Sequence, residues 1–269
     1  QVNGQFVGFE NYRIILTDPN FQEALGHTLF VVIASLVIQG PLAILFALLL
    51  NQKFKGRALI RTLIFVPYVV SEVIVGTGWS LMLQPTGAVN AVLAKFGISG
   101  ADWIADPKIA IWTLMFIISW KYIGFAVILM IAGMQSIPED LYEAAKVDGA
   151  GFWRQQWSIT LPLLGPTIRM WAFMSIIGSL QLFDLVYIIW GQYVSSTAGT
   201  STMATYMVRE GRLANNYGYG SAVAVVIFVI SLVIALTYQH IVMNRDLDGA
   251  LTDGKRGKRS RGTIVTSEV

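Results

Sequence analysis

Five long apolar runs constrain this chain more than any other feature: His27–Leu50, Leu59–Leu83, Ile109–Met134, Ile168–Trp190 and Tyr219–Met243. A bilayer core of ~30 Å takes about 20 helical residues to cross, and each run is long enough. Charged residues are only 13% of the 269, about half the share of an average soluble domain. A soluble globular domain and a disordered chain are both excluded on that ground. In lipid the backbone must satisfy its own hydrogen bonds. The expected fold class is therefore an all-α membrane protein, a polytopic transmembrane helix bundle with five spans. It divides into an external segment at 1–26, a transmembrane domain at 27–243 and a basic tail at 244–269.

Lys and Arg give the orientation, because they collect on the cytoplasmic side. The connection with Lys53, Lys55, Arg57 and Arg61, the connection with Lys146 and Arg154, and the tail together hold 12 of them. The opposite side holds 5, and Lys121 and Arg169 fall inside spans. The start of the chain is then outside and the C-terminus cytoplasmic. Trp79, Trp103, Trp112 and Trp190 lie near the outer ends, where an aromatic belt is expected. An outside segment with no span before it implies an upstream span beyond this sequence. The basic tail, beside five spans, reads as facing lipid headgroups and not nucleic acid.

The connection at 135–166 is too long for a simple turn. Ser136 is placed to cap, Pro138 to sit at a first helical position, and Glu139 and Asp140 to fill the first turn. Gly149 ends this helix, and Phe152, Trp153 and Trp157 form an aromatic face on a second one. From periodicity alone, this helical hairpin is either a docking element or an amphipathic pair lying on the bilayer.

Within it, Glu143-Ala144-Ala145, three residues, Gly149, nine residues, Ile159, one residue and Leu161-Pro162 form a pattern of 20 positions. It resembles the EAA loop of binding-protein-dependent ABC importer permeases. Val7-Gly8-Phe9-Glu10-Asn11-Tyr12, Phe65-Val66-Pro67-Tyr68, Gln181-Leu182-Phe183-Asp184 and Tyr217-Gly218-Tyr219-Gly220 are similar to segments of the MalF-type, sugar-importing branch. Gly191-Gln192-Tyr193-Val194 departs from that family's usual glycine-rich turn.

The resemblance implies the type I importer transmembrane fold, with the family's first span missing from this chain. It implies a permease subunit in a prokaryotic cell membrane and a MalG-like second permease. Two ATP-binding subunits, an extracytoplasmic solute-binding protein and a carbohydrate cargo complete the expected assembly. Glu143, Ala144, Ala145, Asp148 and Gly149 are the implied contacts with the ATPase subunits. The chain has no phosphate-binding loop of the form Gly-x4-Gly-Lys-Ser/Thr. It is expected not to be an enzyme, and ATP and Mg belong to its partners. With no Cys and two His, a thiolate or His-based metal site is also not expected.

Ionisable residues at bilayer depth cost about 2.5–3.5 kcal/mol on insertion scales and mark cavities or partners. Glu72, Lys121 and Asp184 are such residues. In the maltose member of the family, the residues matching Tyr68, Glu72, Lys121, Tyr122, Phe125, Gln181 and Leu182 help hold the sugar. The first six side chains suit hydroxyl and ring recognition. Tyr68 and Phe125 are equally readable as packing, and Asp184 as a structural partner of a neighbouring helix. On straight helices Glu72 and Lys121 sit roughly 16–18 Å below their outer ends, which allows an ion pair. The alternative function is an ion-coupled secondary transporter, with the three charges as relays. Such transporters carry internal repeats, which this sequence lacks.

Overall fold

The structure is a computed structural model that describes residues 6–52 and 54–243. It is almost entirely helical, with no strand among the described residues. Three continuous helices are long and apolar enough to cross a membrane: α2 (Pro19–Leu50), α6 (Ala110–Gln135) and α12 (Tyr217–Val242). Two further helix pairs are long and apolar enough only when taken together across a bend, α3 with α4 (Arg57–Val69 and Glu72–Met82) and α8 with α9 (Phe152–Leu163 and Gly165–Leu180). The short helices are α1 (Glu10–Thr17), α5 (Ala88–Lys95), α7 (Glu139–Val147), α10 (Asp184–Thr197, kinked at Gly191) and α11 (Met203–Val208). The basic tail at 244–269 lies outside the described residues.

The sequence reading needs correction at the span limits. The helix that holds the first span starts at Pro19, eight residues before His27, because Asp18 accepts from the Asn20 backbone N–H at 2.8 Å and Pro19 takes the first helical position. Its 32 residues measure about 48 Å, well beyond the hydrocarbon core. The second span is not one rod. Pro67 withholds an N–H from the last turn of α3. Val70 and Ser71 are extended, Ser71 then caps α4 through Val73, and the two helices meet at 94°.

The fourth span likewise ends at Leu180, not Trp190. The break at Gln181–Phe183 leaves the Leu182 carbonyl free, and the Thr202 hydroxyl donates to it at 2.7 Å. The chain resumes as α10. There Trp190 is buried and donates to the Ile104 carbonyl at 2.7 Å, so it locks the loop before α6 and is not exposed as a belt residue would be.

Helix α6 is the hub. Its first half joins α4 and α10 in one core, through Leu114, Ile117, Leu185 and Val186. Its second half joins α2 and α9 in another, through Ala43, Ala47, Val127, Met130 and Trp171. A third core ties α1, α11 and α12 to the start of α2 and the end of α9. The apolar stretch of α6 is 56% buried within the chain and that of α12 only 22%, so α12 is the outward-facing helix. At Gly124 the backbones of α3 and α6 touch: a Cβ there would lie 2.1 Å from the Ile64 carbonyl oxygen. Small residues allow such close crossings in membranes. This crossing sets Tyr68 of α3 against Tyr122 and Phe125 of α6.

Candidate functional site

A cavity of about 420 Å³ opens between α2, α3, α6 and α9. Tyr68 stacks on Phe125 with ring centroids 5.0 Å apart and planes at 21°, and meets Tyr122 edge-on at 6.1 Å. Those three rings form one wall. Ser35 and Gln39 on α2, and Ser175 and Ser179 on α9, supply polar groups elsewhere around the space. A concave, mostly apolar space with a few polar groups is the usual form of a small-ligand site.

Of the six residues suited to hold cargo, Tyr68, Tyr122 and Phe125 line the cavity. Glu72 and Lys121 stand behind the wall. The bend between α3 and α4 overturns the equal-depth argument, yet the two charges still meet, at 3.8 Å. Lys121 is 2% exposed, and its ammonium donates to the Val70 carbonyl at 2.7 Å and the Pro67 carbonyl at 3.5 Å. These are the carbonyls that the broken end of α3 leaves without helical donors. Lys121 therefore caps the break, where a cation suits the negative end of a helix. Glu72 accepts the Tyr122 hydroxyl and so fixes that ring at the cavity edge. Gln181 is exposed at the end of α9, while its neighbour Leu182 reaches the cavity. Asp184 is exposed in the first turn of α10, a position that favours an acid.

Sequence reasoning missed Ser35, Gln39, Trp171 and the α9 serines. A signal for the first two was present in Gly40-Pro41, inside an apolar run. Pro41 offers no N–H and its ring crowds the carbonyl one turn back. The helix answers with a wider turn of the π type over Ser35–Gln39.

Double removal tests the arrangement of charges. In the assembled protein, Lys121→Ala strands Glu72 and the Val70 carbonyl, and Glu72→Ala strands Lys121. Each single change should cost about 3–5 kcal/mol, as breaking a buried pair does. The double change should cost less than the sum, by 1 kcal/mol or more on the scale of coupled neighbours. Thermal unfolding of the four proteins measures this, and additive losses would separate the two residues.

The second candidate site is the hairpin of α7 and α8. Pro138 precedes α7 instead of opening it, and Ser136 donates to the Gly133 carbonyl at 2.7 Å instead of capping. Gly149 adopts φ +74°, a conformation that costs an ordinary residue about 1–2 kcal/mol, and it turns the chain between the helices. The Tyr142 hydroxyl meets Thr160 Oγ1 at 2.9 Å, and Thr160 donates to Gln156 at 2.8 Å. Gln155 donates to the Ala150 carbonyl at 2.7 Å. The first of these bonds ties α7 to α8, and the last ties α8 to the turn between them. Leu164, fully buried against α6, anchors its base where α8 meets α9 at 64°. Glu143, Ala144, Asp148 and Gly149 are exposed, and Ala145 is partly so. Val147 is 88% exposed, Trp157 70% and Trp153 55%, a protruding apolar surface that polar solvent does not explain.

Residues 39–245 match the family described as binding-protein-dependent transport system inner membrane component. The chain is 32% identical to the trehalose/maltose transport system permease protein MalF of Thermococcus litoralis, over 88% of this chain and 79% of that one. It is 35% identical to the sulfoquinovosyl glycerol transport system permease protein SmoG of Agrobacterium fabrum, over 90% of this chain and 78% of that one. Among solved structures, a bacterial ABC transporter that imports the acidic polysaccharide alginate superposes with a TM-score of 0.83 at 29% identity. That match covers 90% of this chain and 85% of the other.

Proposed function

The chain belongs to the family of binding-protein-dependent transport system inner membrane components, and from that premise we propose how it works as the transmembrane subunit of a carbohydrate ABC importer. The observation that carries the reading is the cavity at the α3–α6 crossing with its stacked Tyr68–Phe125 wall. Aromatic faces cover the apolar faces of a sugar ring, and hydroxyl and amide groups around them take its oxygens. In this reading Tyr68, Tyr122 and Phe125 touch the cargo. Glu72 and Lys121 act through Tyr122 and the α3 break, positioning the wall. Gln181 guards the end of α9 beside Leu182.

The hairpin is the second working part. Glu143, Ala144, Ala145, Asp148 and Gly149 seat in a cleft of an ATP-binding subunit, with Glu143 offered to a basic partner. Two such subunits, a second permease and an extracytoplasmic solute-binding protein complete the importer, and the C-terminal tail is on the ATPase side. ATP-driven closure draws the seated hairpins together. Because the hairpin is anchored at Leu164 and α9 lines the cavity, its displacement reaches the cavity through α9.

The test is the ATPase rate of the importer reconstituted with its binding protein, measured across neutral di- and oligosaccharides. One or more sugars should stimulate turnover at least several-fold, and Tyr68→Ala or Phe125→Ala should lower sugar uptake at least tenfold. Equal turnover with and without every sugar would sink the carbohydrate assignment.

A further inference from the structure

The polar side of the cavity contains a group that the fold leaves unused. Gln39 is 3% exposed, lines the cavity, and its Nε2 has no hydrogen-bond partner among the described residues. Buried amide donors are nearly always paired, because an unpaired one forfeits its hydration without return. The segment that carries it is itself irregular. The wide turn over Ser35–Gln39 is imposed by Pro41, and such turns inside helices concentrate at functional sites. Next to it, Gly40 lies so close to Trp171 that a Cβ would sit 2.8 Å from the indole ring. The bare glycine thus lets Trp171 close the cavity beside the Gln39 amide.

The charge of the space is equally informative. Among the described residues, none that lines the cavity is ionisable to a cation or carboxylate. Lys121, next to Tyr122, has its ammonium committed to Val70 and Glu72. An anionic sugar would lose hydration here and find no opposite charge, whereas a neutral one needs only hydrogen bonds.

We propose that Gln39 is a specificity-determining residue of this importer, donating from its side-chain amide to a hydroxyl or ring oxygen of a neutral carbohydrate held against the Tyr68–Phe125 wall. The inference rests on the cavity being the cargo site, and it adds the class of cargo and the residue that reads it.

The experiment uses the complete importer in proteoliposomes, with trehalose, maltotriose and arabinotriose as neutral probes and an alginate trisaccharide as the anionic one. For the neutral sugar carried fastest, Gln39→Leu and Gln39→Met, which both lose the donor, should lower uptake at least tenfold. The thermal midpoint of the assembled Gln39→Leu complex should equal or exceed that of the parent, because an unpaired polar group has been removed. Uptake within twofold of the parent overturns the proposal, as does a fall in the Gln39→Leu midpoint, which would give Gln39 a packing role. Faster uptake of the alginate trisaccharide than of all three neutral sugars overturns it too. Tyr68→Ala and Phe125→Ala, run in parallel, separate the failures. If these two lose uptake and the Gln39 variants do not, the cavity stands and Gln39 falls. If none of them loses uptake, the cavity assignment itself falls.

Discussion

An importer carrying Gly149→Trp should assemble, retain its helical content and move no detectable sugar. The position has open space around it within this chain, so a large side chain collides with nothing internal. Its φ of +74° adds about 1–2 kcal/mol of local strain, absorbed in an exposed turn away from the three cores. The bulk would instead fall on the exposed surface that we propose docks on the ATPase subunit. Two further variants separate docking from turn geometry. Gly149→Asn tolerates a positive φ and adds little volume, so it should keep at least a third of parental uptake. Glu143→Lys leaves the turn untouched and reverses the exposed charge, so it should cut the sugar-stimulated ATPase rate at least tenfold. Uptake and ATP turnover are measured on the same proteoliposomes. Coupled uptake by the Gly149→Trp complex would remove the docking assignment.

The other large effect lies inside the bundle. Gly124→Val should prevent assembly of the permease altogether. A Cβ at 2.1 Å from a backbone oxygen cannot be accommodated by a rotamer change, so α3 and α6 must separate along their whole crossing. Overpacking a dense core costs about 1–3 kcal/mol even where side chains can give way, and here the obstacle is main chain. Size-exclusion profiles of detergent-purified protein, with Ile123→Val as a neighbouring control of similar chemistry, measure the loss. A monodisperse Gly124→Val complex with parental uptake would show that the crossing does not set the cavity.

How much of this was legible in the sequence differs by residue. The apolar runs and the helical hairpin followed from hydropathy and from Gly149, because both are local properties. Pro67 marked a disturbance in its helix, but not the right-angled break that follows at Val70–Ser71. Whether a membrane proline is absorbed by a wide turn, as at Ser35–Gln39, or breaks the helix, as after Val69, depends on who receives the stranded carbonyls. That recipient, Lys121, is 51 residues from Val70 in the chain. Glu72 and Lys121 were found by the rarity of buried charge, but their role behind the wall and not on it was set by the bend. Gln39 escaped notice because an amide in an apolar helix usually bonds a neighbouring helix. Only the three-dimensional structure leaves its nitrogen without one.

The junction of α3 and α4 has an electrical consequence. A cell membrane holds a potential worth about 2.3 kcal/mol per elementary charge at 100 mV, so any continuous file of water through it dissipates energy. A broken helix ordinarily recruits water to its bare carbonyls. Here the Val70 carbonyl is served by Lys121, whose charge is balanced in turn by Glu72. The right-angled joint is thus wired from within the protein: the Val70 carbonyl needs no water molecule as its donor.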